Sequence, residues 1–158
     1  MALMFLNGGA MRGGPLHHLL DGAPLVAETA TAPKYRFYSV GDRCPGLAPV
    51  AHGGAAIEGE LYDIPMDVLR DRLMPAEPPE LELGVIELAD GTSSFAMLLR
   101  RPCTSHAELY DITESGSWKA YMDMDVHPDA GVEARTDART DARTDARPAA
   151  RTDREKTS

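Results

Sequence analysis

Two short segments carry residue types at a spacing that could support chemistry. The first is Asn7-Gly8-Gly9-Ala10-Met11-Arg12-Gly13-Gly14, directly after the apolar run from Ala2 to Leu6. Its glycines let the backbone turn tightly and present N–H groups to an anion such as a carboxylate. Arg12 could add a counter-charge. The second is Met74-Pro75-Ala76-Glu77-Pro78-Pro79-Glu80-Leu81, where prolines on both sides of Glu77 restrict its backbone and hold the side chain in place. A carboxylate held in a partly apolar pocket has a raised pKa and can serve as a general acid or base. Each pattern also has a plainer reading: a tight glycine-rich connection, and a solvated loop glutamate among many acids. Arg36, set between the aromatics Tyr35 and Phe37, is a further candidate, either to meet an acid at the mouth of a site or to make a structural ion pair.

Other chemistries are excluded by what the sequence lacks. There is no Gly-x-Ser-x-Gly elbow and no Gly-x-x-x-x-Gly-Lys-Ser/Thr phosphate loop, and the dinucleotide pattern fails at its second glycine. His17, His18, His52, His106 and His127 show no ligand spacing, and Cys44 and Cys103 lie far apart. No metal, nucleotide or other cofactor is expected. A formal charge of −9 over 158 residues disfavours nucleic acid or an anionic membrane as partner. No stretch approaches the ~20 apolar residues of a membrane span, and the opening run, which lacks a basic region, is too short for a signal sequence. A soluble, cytoplasmic protein is expected.

These segments must be positioned by a small set of elements. Ala2 to Leu6, Lys34 to Val40 and Ile57 to Ile64 read as strands, and Leu83 to Leu88 with Phe95 to Leu99 read as a hairpin around Asp90-Gly91. Pro15 suits the first turn of a helix through Leu20, with Gly22 beyond it, and Pro65 opens another over Met66 to Met74, where Val68, Leu69 and Leu73 share a face. His17 and His18 fall on the first of these. Tyr35 and Tyr62 read as core or rim, and Trp118 with Tyr121 as the residues that dock a last helix. Strands outnumber helices without βαβ alternation, which predicts an α+β fold: a small mixed, mostly antiparallel β-barrel with short flanking helices.

The domain is expected over residues 1–130. From there the composition changes, with Ala-Arg-Thr-Asp repeating from Ala134, and the segment from Glu133 onward carries seven Lys/Arg and six Asp/Glu. Residues 131–158 therefore read as a disordered charged tail, unable to bury enough surface to offset the entropy of ordering. The body ahead of it is more acidic than the whole chain.

Taken in order, these segments resemble the gamma-glutamylcyclotransferase-like superfamily. The glycine loop after the first strand, Asn7 to Gly13, is followed by a Gly-Glu-x-Tyr strand at Gly59-Glu60-Leu61-Tyr62, a short helix, and a loop glutamate at Glu77. Thr31-Ala32-Pro33-Lys34-Tyr35-Arg36-Phe37-Tyr38, Pro45-Gly46 and the Val85 to Phe95 hairpin are similar to the branch typified by the allophanate hydrolase C-terminal domain. The likeness spans roughly residues 3 to 122. It implies a barrel whose cavity takes a small carboxylated or zwitterionic substrate. The backbone of Gly8, Gly9 and Ala10, with Asn7, Met11, Arg12 and Arg36, would bind it, and Glu77 would act as general acid/base. In the cyclotransferases such a Glu accepts a proton from the substrate ammonium, and the freed amine closes on the gamma-amide carbonyl without a cofactor. In the allophanate hydrolase branch the substrate is a small carboxylated carbamate supplied by an amidase. A non-catalytic binding module on the same barrel is a further alternative. Asn7 stands where the loop commonly has Tyr, and Met11 is nearest to a position where the branch has His. The resemblance leaves open whether an amidase or a second copy of the chain is a partner.

Overall fold

The computed structural model describes residues 1–101 and 108–124, of which Met1–Tyr121 form one unit. The expected tail, 131–158, lies outside the described residues, as do Cys103, His106 and His127.

The apolar opening is strand β1 (Ala2–Leu6), with Met4, Phe5 and Leu6 buried. Seven more strands follow among the described residues: β2 (Leu25–Ala30), β3 (Tyr35–Val40), β4 (Cys44–Pro49), β5 (Glu58–Ile64), β6 (Leu81–Glu87), β7 (Ser93–Leu99) and β8 (Leu109–Asp111). Their order is β2-β5-β1-β7-β4-β3-β8, with β6 paired along β7. β1 and β4 each run parallel to β7, and every other pair is antiparallel. The sheet is thus mixed and mostly antiparallel, and it curls. Past the ends of β2 and β6, Ala32 donates to the Glu87 carbonyl and Ala89 to that of Ala30, both at 2.9 Å, which closes the ring β2-β5-β1-β7-β6. The seam joins β2 and β6 only past their ends, through the Thr31–Leu88 bridge, and β8 still ends the strand order. With β6 along the whole of one edge of β7, the other edge is divided. Met4 of β1 faces Phe95, and Leu47 of β4 faces Leu98. Two parallel strands therefore part from one another beside β7.

β4 escapes a sequence reading because Pro45 and Pro49 interrupt it, and proline cannot donate to a ladder. It persists because its partner β3 is antiparallel over six pairs, Tyr35–Pro49 through Val40–Cys44. The helix expected from Pro15 is only a 3₁₀ turn, His17–Leu20, ended by Asp21 at φ 55 in the left-handed region. The second helix, α1 (66–76), extends past the expected Met74. Its ends, Met66–Val68 and Met74–Ala76, are α-helical, while Leu69–Leu73 is π-wound, with the Met74 N–H bonded to the Leu69 carbonyl. Pro75 brings no N–H to the ladder, and a wide turn just before it absorbs the fault. Val68, Leu69 and Leu73 are buried, as their spacing predicts. The last helix, α2 (Trp118–Met124), begins with buried Trp118, whose ring lies 5.7 Å from that of Tyr121. Tyr62, Phe5, Phe37 and Met4 are the largest fully buried side chains.

Candidate active site

The loop after β1 spends its carbonyls on itself. Met11 donates to Gly8 O (3.1 Å), Gly14 to Met11 O (2.9 Å) and Leu16 to Gly9 O (2.9 Å). Among the described residues the N–H groups of Gly8, Gly9 and Ala10 have no protein acceptor. Two glycines are required by close approach. A Cβ on Gly14 would lie 2.2 Å from the Gly9 carbonyl oxygen, and one on Gly8 would lie 2.8 Å from the Pro45 ring. Gly9 has ordinary room, its nearest such neighbour being the Pro15 ring at 3.6 Å.

Below the loop, buried Glu60 of β5 holds it down. Glu60 Oε2 accepts the Arg12 backbone N–H (2.9 Å) and the Tyr62 hydroxyl (2.8 Å), and Oε1 accepts Arg12 Nε (3.2 Å). Burial alone would push this carboxyl up. The Arg12 N–H, the Tyr62 hydroxyl and the Arg12 guanidinium outweigh it and hold Glu60 below its ordinary range. Burial, with Glu60 alongside, pushes the Tyr62 phenol up to about 12. On the other flank His17 Nδ1 pairs with the Ala10 carbonyl (3.0 Å), which fixes the proton on that nitrogen, and its ring sits edge-on to Tyr62 at 5.9 Å. His18 is exposed.

Glu77 arrives from the other side. It follows α1 directly, its N–H bonded to the Met74 carbonyl (3.2 Å), with ψ 143 as the following proline demands. A cavity of about 220 Å³ lies where β1 and β4 part. Asn7, Gly8, Gly9 and Ala10 line one side, Ala76, Glu77 and Pro78 another, and Arg43 with Cys44 and Pro45 at the start of β4 a third. Burial pushes the Glu77 carboxyl up from 4.5 to about 7. Cys44 is pushed up by burial to about 11, so its thiol is neutral. Asn7 is buried, and its Nδ2 has no hydrogen-bond partner among the described residues. Arg43 Nη2 donates to Glu80 Oε1 (3.1 Å).

The residues singled out by sequence are thus divided. Asn7, Gly8, Gly9, Ala10 and Glu77 share the cavity. Met11 is buried and faces a separate open cleft beside Glu28, Glu58 and Lys119. Arg12 is committed to Glu60 and Glu28. Arg36 pairs with Asp111 (Nη2, 2.5 Å) and donates to the Gly53 carbonyl (2.8 Å) across β3 and β8, and it does not line this cavity. Arg43 and Cys44 do line it, and the sequence reading assigned neither of them a role.

Residues 2–123 match the allophanate hydrolase C-terminal domain, and the chain belongs to that family. It is similar to a uropathogenic E. coli-specific protein of known structure, at 35% identity and TM-score 0.70, covering 77% of this chain and 95% of that one. It is also similar to Kluyveromyces lactis allophanate hydrolase, at 27% identity and TM-score 0.71, covering 78% of this chain but only 21% of that one. A mouse AIG2-like protein shares the fold, at 21% identity and TM-score 0.51, over 62% of this chain and 76% of that one. Comparison with curated proteins finds no match. Among the described residues no helix is long and apolar enough to cross a membrane.

Proposed function

We propose that the chain is an acid/base enzyme acting on a compact carboxylated carbamate or amide, with Glu77 as the proton-transferring group and the Gly8–Ala10 backbone as the carboxylate cradle. One observation carries the reading. A carboxyl group pushed up to about 7 shares a cavity with a run of backbone N–H groups that have no acceptor among the described residues. An acid/base group is most effective when its pKa lies near the working pH. At about 220 Å³ the cavity falls below the ~300–1,000 Å³ common for ligand pockets, which suits a substrate of few atoms.

In the carbamate reaction, favoured by the family and by this volume, protonated Glu77 donates to the substrate nitrogen. The nitrogen–carboxyl bond breaks, its electron pair stays on nitrogen, and carbon dioxide leaves. Solvent then returns the proton to Glu77, and no step calls for a cofactor. A second reading rests on the same carboxyl used in the opposite sense. Ionised Glu77 takes a proton from a gamma-glutamyl ammonium, and the freed amine attacks the gamma-amide carbonyl to give 5-oxoproline and a free amine.

Turnover of small carbamates and of gamma-glutamyl dipeptides by wild type and Glu77→Gln tests the proposal. The glutamine keeps the shape but neither donates as an acid nor accepts as a base, so the rate falls by roughly 10²–10⁴-fold. The pH profile separates the two reactions. An acid role loses rate as pH rises through about 7, and a base role loses rate as pH falls through about 7. Equal turnover by the two proteins removes Glu77 from the chemistry. No turnover by wild type leaves a binding module.

A further inference from the structure

We infer that the outer edge of β6 is a self-association surface, where a second copy of this chain adds its own β6 antiparallel about a two-fold axis beside Gly84. Along β6 the even-numbered residues bond to β7, as the Arg100 N–H to Glu80 O (2.8 Å) and the Leu88 N–H to Thr92 O (2.8 Å) show at its two ends. The odd-numbered residues therefore aim their N–H and C=O groups away from β7. At both ends of the strand the chain itself takes these groups up. Leu81 N–H donates to Pro78 O (3.1 Å), and Leu81 O accepts Arg100 Nη2 (3.3 Å). Glu87 N–H donates to the Tyr35 hydroxyl (2.8 Å), and Glu87 O accepts the Ala32 N–H (2.9 Å). Between them, Leu83 and Val85 have no such partner among the described residues. Their side chains are apolar, and 38% and 62% exposed. An open edge that carries exposed apolar side chains is a template for another strand.

Register makes that strand a copy of itself. An antiparallel pairing centred on Gly84 sets Leu83 opposite Val85 of the second copy, and Val85 opposite its Leu83. Both residues present outward groups, so each such pair exchanges both of its hydrogen bonds. The ladder stops there, because Leu81 and Glu87 are already satisfied. The side chains match as well. Leu83 lies across from Met97 on β7, and Val85 from Phe95. The pairing therefore joins Met97, Leu83 and the Val85 and Phe95 of the second copy into one apolar row. No acid meets an acid. Glu82 faces Ile86 of the second copy and Glu87 faces its Leu81, and each acid has a cation of its own chain, Arg100 (3.7 Å) and Lys34 (2.5 Å). A two-fold pairing of this kind closes on itself and uses up the edge. So short a ladder buries less than the ~1,200 Å² of stable complexes, and the dimer is weak and concentration-dependent.

Sedimentation velocity of the full chain from about 10 µM to about 1 mM tests this, with amide hydrogen exchange at Leu83 and Val85 followed over the same range. Wild type passes from monomer to dimer, and the two amides, open at the lower end, slow in exchange at the upper. Leu83→Lys and Val85→Lys each weaken the dimer by about tenfold or more, since the two-fold places every change at two points of the interface and an edge lysine opposes strand pairing. Both positions are exposed, so each variant melts close to wild type. Val26→Lys, at an apolar position of β2 that is 52% exposed, leaves the dimer unchanged. A chain that stays monomeric at about 1 mM overturns the inference, and so does a dimer that resists both β6 lysines. Leu83 and Val85 amides already protected at about 10 µM would also overturn it, because another segment of the same chain would then cover the edge.

Discussion

A carboxyl that gives up hydration burdens the native state whenever it is ionised, and Glu77 does so over a defined pH window. Its pKa stands at about 7 against 4.5 when unhindered, so between these values the folded chain holds a proton that the unfolded chain has released. Stability falls as pH rises through that window, by on the order of 3 kcal/mol in all. Glu60, held below its ordinary range, contributes in the opposite sense: its stabilisation is present above that range and is lost as pH falls through its folded pKa. Comparing wild type with Glu77→Gln cancels Glu60, which is present in both. Denaturant unfolding at pH 5 and pH 8 should show the variant gaining on wild type at the higher pH. An unchanged difference would mean that Glu77 is not held in a desolvating site. At this scale the sequence was informative where prolines or glycines bracket a group. Glu77 stood out for its prolines, and Asn7 to Ala10 for the loop. Arg43 and Cys44 did not, because nothing local to them signals a cavity assembled from distant strands.

The loop from Asn7 to Gly14 depends on its glycines unequally. Any side chain at Gly14 drives a Cβ to 2.2 Å from the Gly9 carbonyl, a backbone atom with no room to yield. Gly14→Ala should destabilise the fold by ~1–3 kcal/mol, the usual range for overpacking. Gly9→Ala should melt close to wild type, since its added methyl meets only ordinary contacts at 3.6 Å or beyond. Thermal melts of both variants decide this, and equal loss in the two would show that the loop is packed differently. The elements themselves were legible to different degrees. β1, β3, β5 and the β6–β7 hairpin carry apolar or aromatic runs and a turn signal. β2 does not, because Leu25–Ala30 lies at the edge of the strand order with its residues exposed or half-buried, leaving no apolar alternation. β4 hides behind two prolines, and β8 is only three residues long.

At the scale of the molecule, the position of the cavity follows from topology. One strand, β7, accepts β6 along its length and divides its other edge between β1 and β4. The parting of those two parallel strands leaves a gap that side chains alone do not fill. The glycine loop leaving β1 and the Glu77 segment entering β6 both cross it, and the pocket is what lies between them. The α+β class and the barrel were readable from the count and kind of strands. The splitting of β7 was not, since it rests on single-pair parallel contacts, Met4–Phe95 and Leu47–Leu98, that leave no periodic mark on the sequence. Family membership was legible only as an ordered series of motifs, each of them weak alone. The Arg12–Glu60–Tyr62 network gives the Gly-Glu-x-Tyr motif a physical role, because it fastens the loop from beneath.

In the proposed reading, Glu77 and the loop amides form one desolvated site for a small carboxylate. Carboxyl-carbon NMR titration of Glu77, with and without oxamate, tests it most directly. The midpoint should lie at about 7 in the free protein. It should rise further when oxamate, a compact carboxylated amide, binds, because a second negative charge in the same cavity disfavours ionisation. A midpoint near the ordinary 4.5, unmoved by oxamate, would contradict it.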